Sequence, residues 1–213
     1  GAFSGDALTD GTHNTFVGSY AGSSTTSVVG AIAIGQGAME SGDATTGANG
    51  TVAIGRNALT ALTSGAGNLA IGYSALSAQT DGTYNIAIGY EAMDAMDSGE
   101  DHNIGIGYGV MGTMNNASSV TNVAIGSYAL DHTSTAAVHS CVALGQGTLG
   151  AANHADTSGS VAVGAYALGG LTTGAGNIGI GYQAGVGLTT SATNVVIGYQ
   201  ALDLATTQAD NNV

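Results

Sequence analysis

Residues 85–93 read Asn-Ile-Ala-Ile-Gly-Tyr-Glu-Ala-Met, and this stretch is one copy of a motif that recurs along almost the whole 213-residue chain. The motif is Asn-Φ-Ala-Φ-Gly-x-x-Ala-Leu, where Φ is Val, Ile or Leu. The glycine after the second Φ, which we call the anchor, occurs eleven times from Gly18 to Gly198 at spacings of 17 to 20 residues, and Gly1 falls in the same phase. Repeats of this length, each too short to bury a core alone, are typical of a solenoid.

Each copy contains two aliphatic residues that alternate with a small one. This period of two, in residues that are mostly β-branched, predicts a short strand with one buried face. We expect the aliphatic residues to point into the coil, together with an apolar row four residues after each anchor, which predicts a shorter second strand. The predicted core includes Ile34, Ile54, Ile71, Ile88, Ile106, Ile125, Ile180, Ile197, Leu76 and Leu130.

The fold class that follows is all-β. Two short strands and two turns fit a 17-residue coil at about 3.3 Å per strand residue. We therefore expect a parallel β-solenoid of about twelve coils of 17–20 residues, with residues 1–213 as a single repeat solenoid. A helical alternative is disfavoured because glycine recurs too often and no 3.6-residue period is sustained.

By the same alternation, the small residue between the two aliphatic ones should point out of the coil. A column of Ala and Gly on an outer face permits close approach by another backbone. We therefore predict that this column packs against other chains, most simply around a three-fold axis; the alternative is that it is merely small and exposed. The predicted chain–chain interface is Ala33, Ala53, Ala70, Ala87, Gly105, Ala124, Ala143 and Ala162.

Asparagine recurs four residues before the anchor. Stacked Asn side chains can hydrogen-bond from one coil to the next and hold the turn that precedes the strand. The pattern favours a structural ladder over a ligand site. The predicted ladder is Asn68, Asn85, Asn103, Asn122, Asn177 and Asn194.

The charge balance argues against two classes of partner. The net charge is −13 and Arg56 is the only basic residue, whereas nucleic acids and anionic membrane surfaces both attract Lys and Arg. We interpret the acidity as a source of solubility for an otherwise neutral fibre, with cation binding as the alternative. No apolar run approaches the roughly 20 residues that cross a bilayer, so membrane insertion is not expected.

No enzyme chemistry is indicated, and we predict no catalytic residue, no cofactor and no metal site. Residues 105–109 read Gly-Ile-Gly-Tyr-Gly, but the helix that follows a phosphate-binding loop is missing. The five histidines have no metal-like spacing, and Cys141 alone cannot form a disulfide within the chain. Calcium is a minor alternative at an acidic patch beside His102, formed by Glu91, Asp94, Asp97, Glu100 and Asp101.

Tyrosine is the only plentiful aromatic residue. Five tyrosines follow anchors directly, so they should form a ladder along the solenoid. Such a ladder could bind a cell-surface glycan, a receptor or a neighbouring fibre; the alternative is packing of the tyrosines on one another. The candidate binding residues are Tyr73, Tyr90, Tyr108, Tyr182 and Tyr199.

The copies at 68–76 and 85–93 resemble two related sequence groups. One is the head repeat of YadA-like trimeric autotransporter adhesins, and the other is the glycine-rich repeat of phage tail-fibre proteins. The Tyr-x-Ala-Leu end of the motif is more similar to the fibre group. The resemblance covers nearly the whole chain and implies a left-handed parallel β-roll, a homotrimer, and a place on a virion or a cell surface.

We therefore expect a structural segment of an extracellular fibre that provides reach, rigidity and attachment. Residues 211–213, Asn-Asn-Val, are similar to the lead-in to another anchor, and joining Val213 to a second Gly1 would give a gap of 16 residues (214 minus 198). The chain could thus belong to a longer array or stack head-to-tail as a filament subunit of a bacterial surface or matrix. A glycan- or ice-binding solenoid is a further alternative.

Overall fold

The computed structural model describes residues 1–131, 137–151, 157–204 and 210–211. In these residues the chain forms a β-solenoid whose eleven three-residue strands make one sheet in chain order, with one short 3₁₀ turn at Thr46–Ala48. This confirms the predicted all-β parallel solenoid. The strands are β1 Thr15–Val17, β2 Ile32–Ile34, β3 Val52–Ile54, β4 Leu69–Ile71, β5 Ile86–Ile88, β6 Ile104–Ile106, β7 Val123–Ile125, β8 Val142–Leu144, β9 Val161–Val163, β10 Ile178–Ile180 and β11 Val195–Ile197.

The repeat keeps its register through every coil. All ten pairings are parallel, and each joins equivalent residues of the motif, as in Ala70 opposite Ala87. The strands of the longer repeats stay in register with those of the 17-residue repeats, so the additional residues do not shift the sheet. Gly1 continues the anchor column, because a Cβ placed on it would lie 2.4 Å from the carbonyl carbon of Gly18. Twelve anchors thus accompany the eleven strands of the described residues.

The predicted second strand is wrong: the segment after each anchor is a series of turns. In the coil that begins at Gly72, φ is +140° at the anchor, +51° at Ser74 and +50° at Leu76. A positive φ at every second residue cannot continue an extended strand. Leu76 and Leu130 are nevertheless fully buried, so the prediction that they belong to the core is confirmed.

The strands face the opposite way from the prediction. The alanine column points into the coil, and its members from Ala33 to Ala162 are fully buried; Gly105 in the same column is buried as well. The aliphatic column that was expected inside points outward. Ile34, Ile125, Ile180 and Ile197 are exposed, and Ile54, Ile71, Ile88 and Ile106 are only half-buried.

The thinness of the coil explains the reversal. A Cβ placed on Gly105 would lie 2.6 Å from Sδ of Met93 and 3.2 Å from Cγ1 of Val110. Two walls enclose the interior: the strand wall, formed by the strands, and the turn wall, formed by the turns after each anchor. The large residues that fill the interior come from the turn wall, and they leave room for no more than a methyl group on the strand wall. Interiors are packed to nearly crystalline density, so the inward-pointing strand residue is Ala or Gly where the turns of the preceding coil supply a Leu or Met.

Phe16 shows how the coil accommodates a larger residue in this column. A Cβ on Gly5 would lie 2.8 Å from Cδ2 of Phe16, and a Cβ on Gly22 would lie 2.9 Å from three atoms of the same ring. Glycine thus replaces the Leu or Met of the turn wall where the strand wall carries a ring. A larger residue on the strand wall is therefore matched by a smaller one on the turn wall, because the two walls share one limited volume.

The predicted asparagine ladder is present, and its side chains are buried. The Oδ1 atom of Asn85 accepts the main-chain N–H of Asn103 at 2.9 Å, and its Nδ2 donates to the carbonyl of Glu100 in the next turn. Asn68, Asn103, Asn122 and Asn177 make equivalent bonds to the coil that follows. Each amide therefore ties the turn before one strand to the turn before the next.

We expect Asn103→Ala to lower the free energy of unfolding by about 2–3 kcal/mol. The substitution removes the acceptor of the Asn122 N–H and the donor to the Ser119 carbonyl, both of which are inside the coil. Urea unfolding followed by circular dichroism measures the loss. Asn115→Ala at an exposed position is the control and should change stability by less than about 0.5 kcal/mol. Equal effects of the two variants would contradict a structural ladder.

Candidate interaction surface

The outer side of the sheet is a continuous apolar surface, which we call the aliphatic face. It has two columns, three and one residues before each anchor, and in-register pairing stacks each column at about 4.8 Å per coil. Only Thr15 interrupts the aliphatic residues, and no member carries a charge. The face comprises Ile32, Val52, Leu69, Ile86, Ile104, Val123, Val142, Val161, Ile178 and Val195 in one column and Val17, Ile34, Ile54, Ile71, Ile88, Ile106, Ile125, Leu144, Val163, Ile180 and Ile197 in the other.

The aliphatic face is as large as the apolar patches that bind partners in other proteins. Ten strand spacings make it about 48 Å long, and two side chains make it about 10 Å wide. The resulting area of about 480 Å² is comparable with the largest apolar patches of monomeric proteins, which are often functional. Two such faces in contact would bury about 1,000 Å², the lower bound for a specific interface.

The alanine column predicted as the chain–chain interface cannot contact another chain, because its side chains are inside the coil. The same strands place the aliphatic columns on the surface instead. The rest of the chain is strongly acidic, with 14 carboxylic residues against Arg56. The aliphatic face is thus an uncharged strip on an anionic rod, where electrostatic repulsion between copies is weakest.

The tyrosine ladder lies beside the strand ends. The rings of Tyr73 and Tyr90 stack with centroids 4.9 Å apart, Tyr90 and Tyr108 follow at 5.4 Å, and Tyr182 and Tyr199 also stack at 5.4 Å. The guanidinium of Arg56 lies 5.9 Å from the ring centroid of Tyr73 and continues the stack by a cation–π contact.

Stacking therefore covers ring faces of the candidate tyrosines and leaves their edges and hydroxyl groups exposed. All five are more than a third exposed, from 37% for Tyr73 to 73% for Tyr199. A ligand that stacks on aromatic faces would have to separate rings that already contact each other. The arrangement accordingly favours self-packing of the ladder.

An acidic cavity of about 200 Å³ opens beside this ladder. Its lining includes Glu91, Asp94, Asp131 and the rings of Tyr108 and Tyr128. It exists because Gly112 has no side chain: a Cβ there would lie 3.2 Å from Oδ1 of Asp94 and 3.5 Å from Oδ1 of Asp131.

Burial raises the pKa of both aspartates in this cavity. For Asp94 the charges of Glu91 and Asp131 raise the pKa further, and its own main-chain N–H opposes the shift. For Asp131 a hydrogen bond from the Thr113 hydroxyl, at 3.0 Å, lowers the pKa against the effect of burial. Neither carboxylate has a cation beside it in the described residues.

The acidic patch proposed for calcium is not brought together. Glu91 and Asp94 line the cavity, whereas the side chain of Glu100 is inside the coil and the carboxylate of Asp101 accepts bonds from Thr83. Among the described residues no group of three His, Cys, Asp or Glu side chains is arranged to hold a metal ion. Of the histidines, His132 and His154 lie outside the described residues.

The fold defines the class of this chain as a β-solenoid repeat protein. Comparisons with protein-family models, with curated proteins and with solved structures gave no match. None of the helical structure within the described ranges has the length and apolar character to span a bilayer.

Proposed function

We propose that the chain is a structural segment of an extracellular fibre, of the phage tail-fibre or trimeric surface-adhesin kind, in which copies associate side by side. The observation that carries the proposal is the aliphatic face, which runs along all eleven strands and whose side chains are half-buried or exposed in the part of the chain that the structure describes. The resemblance of the repeat to adhesin heads and tail fibres supports a three-fold arrangement around this face and a location on a virion or a cell surface.

The fold suits a load-bearing segment. Every coil bonds to the next through the strand ladder, and several coils are joined in addition by the asparagine ladder or by stacked tyrosines. These three connections lie at different places around the coil. Several lines of attachment resist bending in more than one direction. A solenoid also lengthens by about 4.8 Å for every repeat added, so reach follows directly from repeat number.

The last described residues keep the phase of the repeat. Asn211 has φ of +61°, and its N–H donates to the carbonyl of Ala192. Thr193 occupies the same position five residues before Gly198, with φ of +57°. Asn211 therefore repeats the position that Thr193 has in the preceding coil.

We expect Ile34→Asp combined with Ile125→Asp to convert an oligomer into single chains of 20.5 kDa. Both side chains are exposed on the aliphatic face, so the carboxylates remain hydrated in a single chain but would be buried and unpaired in an interface, which is strongly unfavourable. Sedimentation equilibrium measures the mass. Higher salt should strengthen association of the wild-type chain, because it screens repulsion between acidic copies.

Val29→Asp combined with Tyr84→Asp is the matched control. It adds the same charge at apolar residues that lie outside the strands, and Val29 is 36% exposed, as is Ile34. The control should retain the wild-type mass. A wild-type chain that sediments as a monomer at all salt concentrations would overturn side-by-side association, and so would equal dissociation of both double variants.

A further inference from the structure

Glu100 is a buried carboxylic acid with no hydrogen-bond partner. It lies in the turn between β5 and β6, its side chain is fully inaccessible to solvent, and neither Oε1 nor Oε2 has a partner. The only other such side-chain atom among the described residues is Nε2 of Gln79, in the preceding coil. Native proteins rarely leave buried polar atoms unpaired, so this pair of side chains requires an explanation.

The position of Glu100 shows that the acid is built into the wall of the solenoid. Seven residues before the anchor, the neighbouring coils have Gly82 and Ser119, which are small and uncharged. The carbonyl of Glu100 accepts the Nδ2 donor of Asn85, which also donates to Oε1 of Gln79 at 3.3 Å. An outward movement of the main chain at Glu100 would therefore break a connection of the asparagine ladder.

We propose that protonation of Glu100 controls local opening of the solenoid. The coil between β5 and β6 is closed when the carboxyl group is protonated and opens locally when the group is ionised. The neutral acid fits an unpaired site inside the coil at modest cost. The carboxylate does not, because an ionised group without partners loses much of its hydration energy on burial.

The direction of the pH effect follows from the site. Burial raises the pKa of Glu100 from its ordinary 4.5 to about 7, and the charge of Asp97 also raises the pKa. The main-chain N–H groups of Glu100, Ser98 and Asn116 oppose the shift, although none of them is placed to form a hydrogen bond with either carboxyl oxygen. The closed coil thus binds a proton more tightly than the open one. Its stability is complete below about pH 4.5 and declines as the pH rises through about 7.

The neighbouring groups do not reverse this direction. In the same turn, Asp97 faces the site and His102 stacks on Tyr84. From the preceding coil, Asp81 accepts the N–H of Gly99. Asp101 accepts bonds from Thr83, and residues 113–121 of the following coil contain no titratable side chain. No Lys or Arg is among these groups, and the His102 ring packs on Tyr84, so the ionised form of Glu100 has no ion-pair partner in the described residues.

Titration of the carboxyl carbons tests the proposal directly on the full chain. Glu40, Glu91 and Glu100 are the only glutamates, so ¹³C-glutamate labelling gives three signals, and Glu100→Gln identifies one by its loss. We expect the Glu100 signal to titrate with a midpoint at about pH 7. A midpoint near 4.5 for all three signals would overturn the proposal.

Thermal unfolding measures the consequence for the coil. We expect the wild-type Tm to be lower at about pH 8 than at about pH 5 by about 5 °C. Glu100→Gln should remove most of this difference, because the amide is neutral at both pH values. The control Glu40→Gln removes a charge elsewhere and should retain the difference.

The opposite results would overturn the proposal. If Glu100→Gln keeps the pH dependence of the wild type, Glu100 is not the group responsible. If the Glu100→Gln chain does not fold, the wild-type carboxyl titration still decides, because its midpoint can be assigned by elimination against Glu40→Gln and Glu91→Gln. These outcomes concern a single chain, so they are independent of side-by-side association.

Discussion

Gly72→Ala is expected to lower the free energy of unfolding by more than about 4 kcal/mol. Gly72 has φ of +140°, a conformation that residues with a side chain rarely adopt. A Cβ on it would lie 2.0 Å from the carbonyl oxygen of Gly89 in the next coil. The oxygen that the Cβ would meet belongs to the main chain, so no change of side-chain rotamer can relieve the clash. The two coils would have to separate.

Circular dichroism during urea unfolding measures this loss, and the shape of the transition is informative. Because each coil contacts only its neighbours, a broken contact between β4 and β5 should divide the transition into two parts. Gly50→Ala is the control: Gly50 also has positive φ, +69°, but its Cβ would meet nothing within 4 Å. We expect a cost of about 1–2 kcal/mol there. Equal losses for the two variants would contradict the importance of close anchor stacking.

Ala87→Ile is expected to destabilise the chain by about 3 kcal/mol through overpacking. Ala87 is fully buried, and its column faces the turn wall, where a Cβ on the equivalent Gly179 would lie 2.7 Å from Cγ of Leu168. Three added carbon atoms have no free space between the two walls. Thermal and urea unfolding both measure the effect.

Ile88→Ala is the comparison that separates the two sides of the strand. The Ile88 side chain is half-buried on the aliphatic face, so its truncation should cost about 1 kcal/mol in a single chain. Unfolding at several protein concentrations isolates any further loss that arises from chain association. If Ile88→Ala were the more damaging substitution in a single chain, the aliphatic residues and not the alanines would fill the coil.

Much of the architecture could be predicted from local pattern. The anchor spacing identified the number of strands to within one, and the alternation located each of them, because a period of two is a property of extended backbone. The asparagine ladder was predictable as well, since an asparagine that recurs at a constant position in most coils can bond only to its equivalents or to the turn beside it.

The turn wall was predicted incorrectly, although a signal was available. The row four residues after the anchor contains Leu and Met but never Val or Ile, and β-branched residues are strongly disfavoured at positive φ. The strand columns are rich in Val and Ile. This difference in branching indicates that the two apolar rows have different backbone conformations, which a count of apolar residues does not detect.

Glu100 could not be recognised in the sequence as a special residue. It belongs to an acidic patch with Glu91 and Asp94, and nothing in the residue type distinguishes the acid that is inside the coil from those on the cavity wall. Its burial depends on the path of an 18-residue repeat around the coil. The same limit applies to Gly112, whose importance lies in the two aspartates on either side of it.

The sequence by itself determined that this protein is a parallel β-solenoid, where its strands and anchors lie, and which asparagines join the coils. Only the tertiary structure decided which side of each strand points inward. Alternation defines two faces but does not assign them, because that choice depends on the volume left by the opposite wall. In most coils that wall supplies a Leu or Met, so no more than a methyl group fits opposite it, and the aliphatic residues are left on the surface.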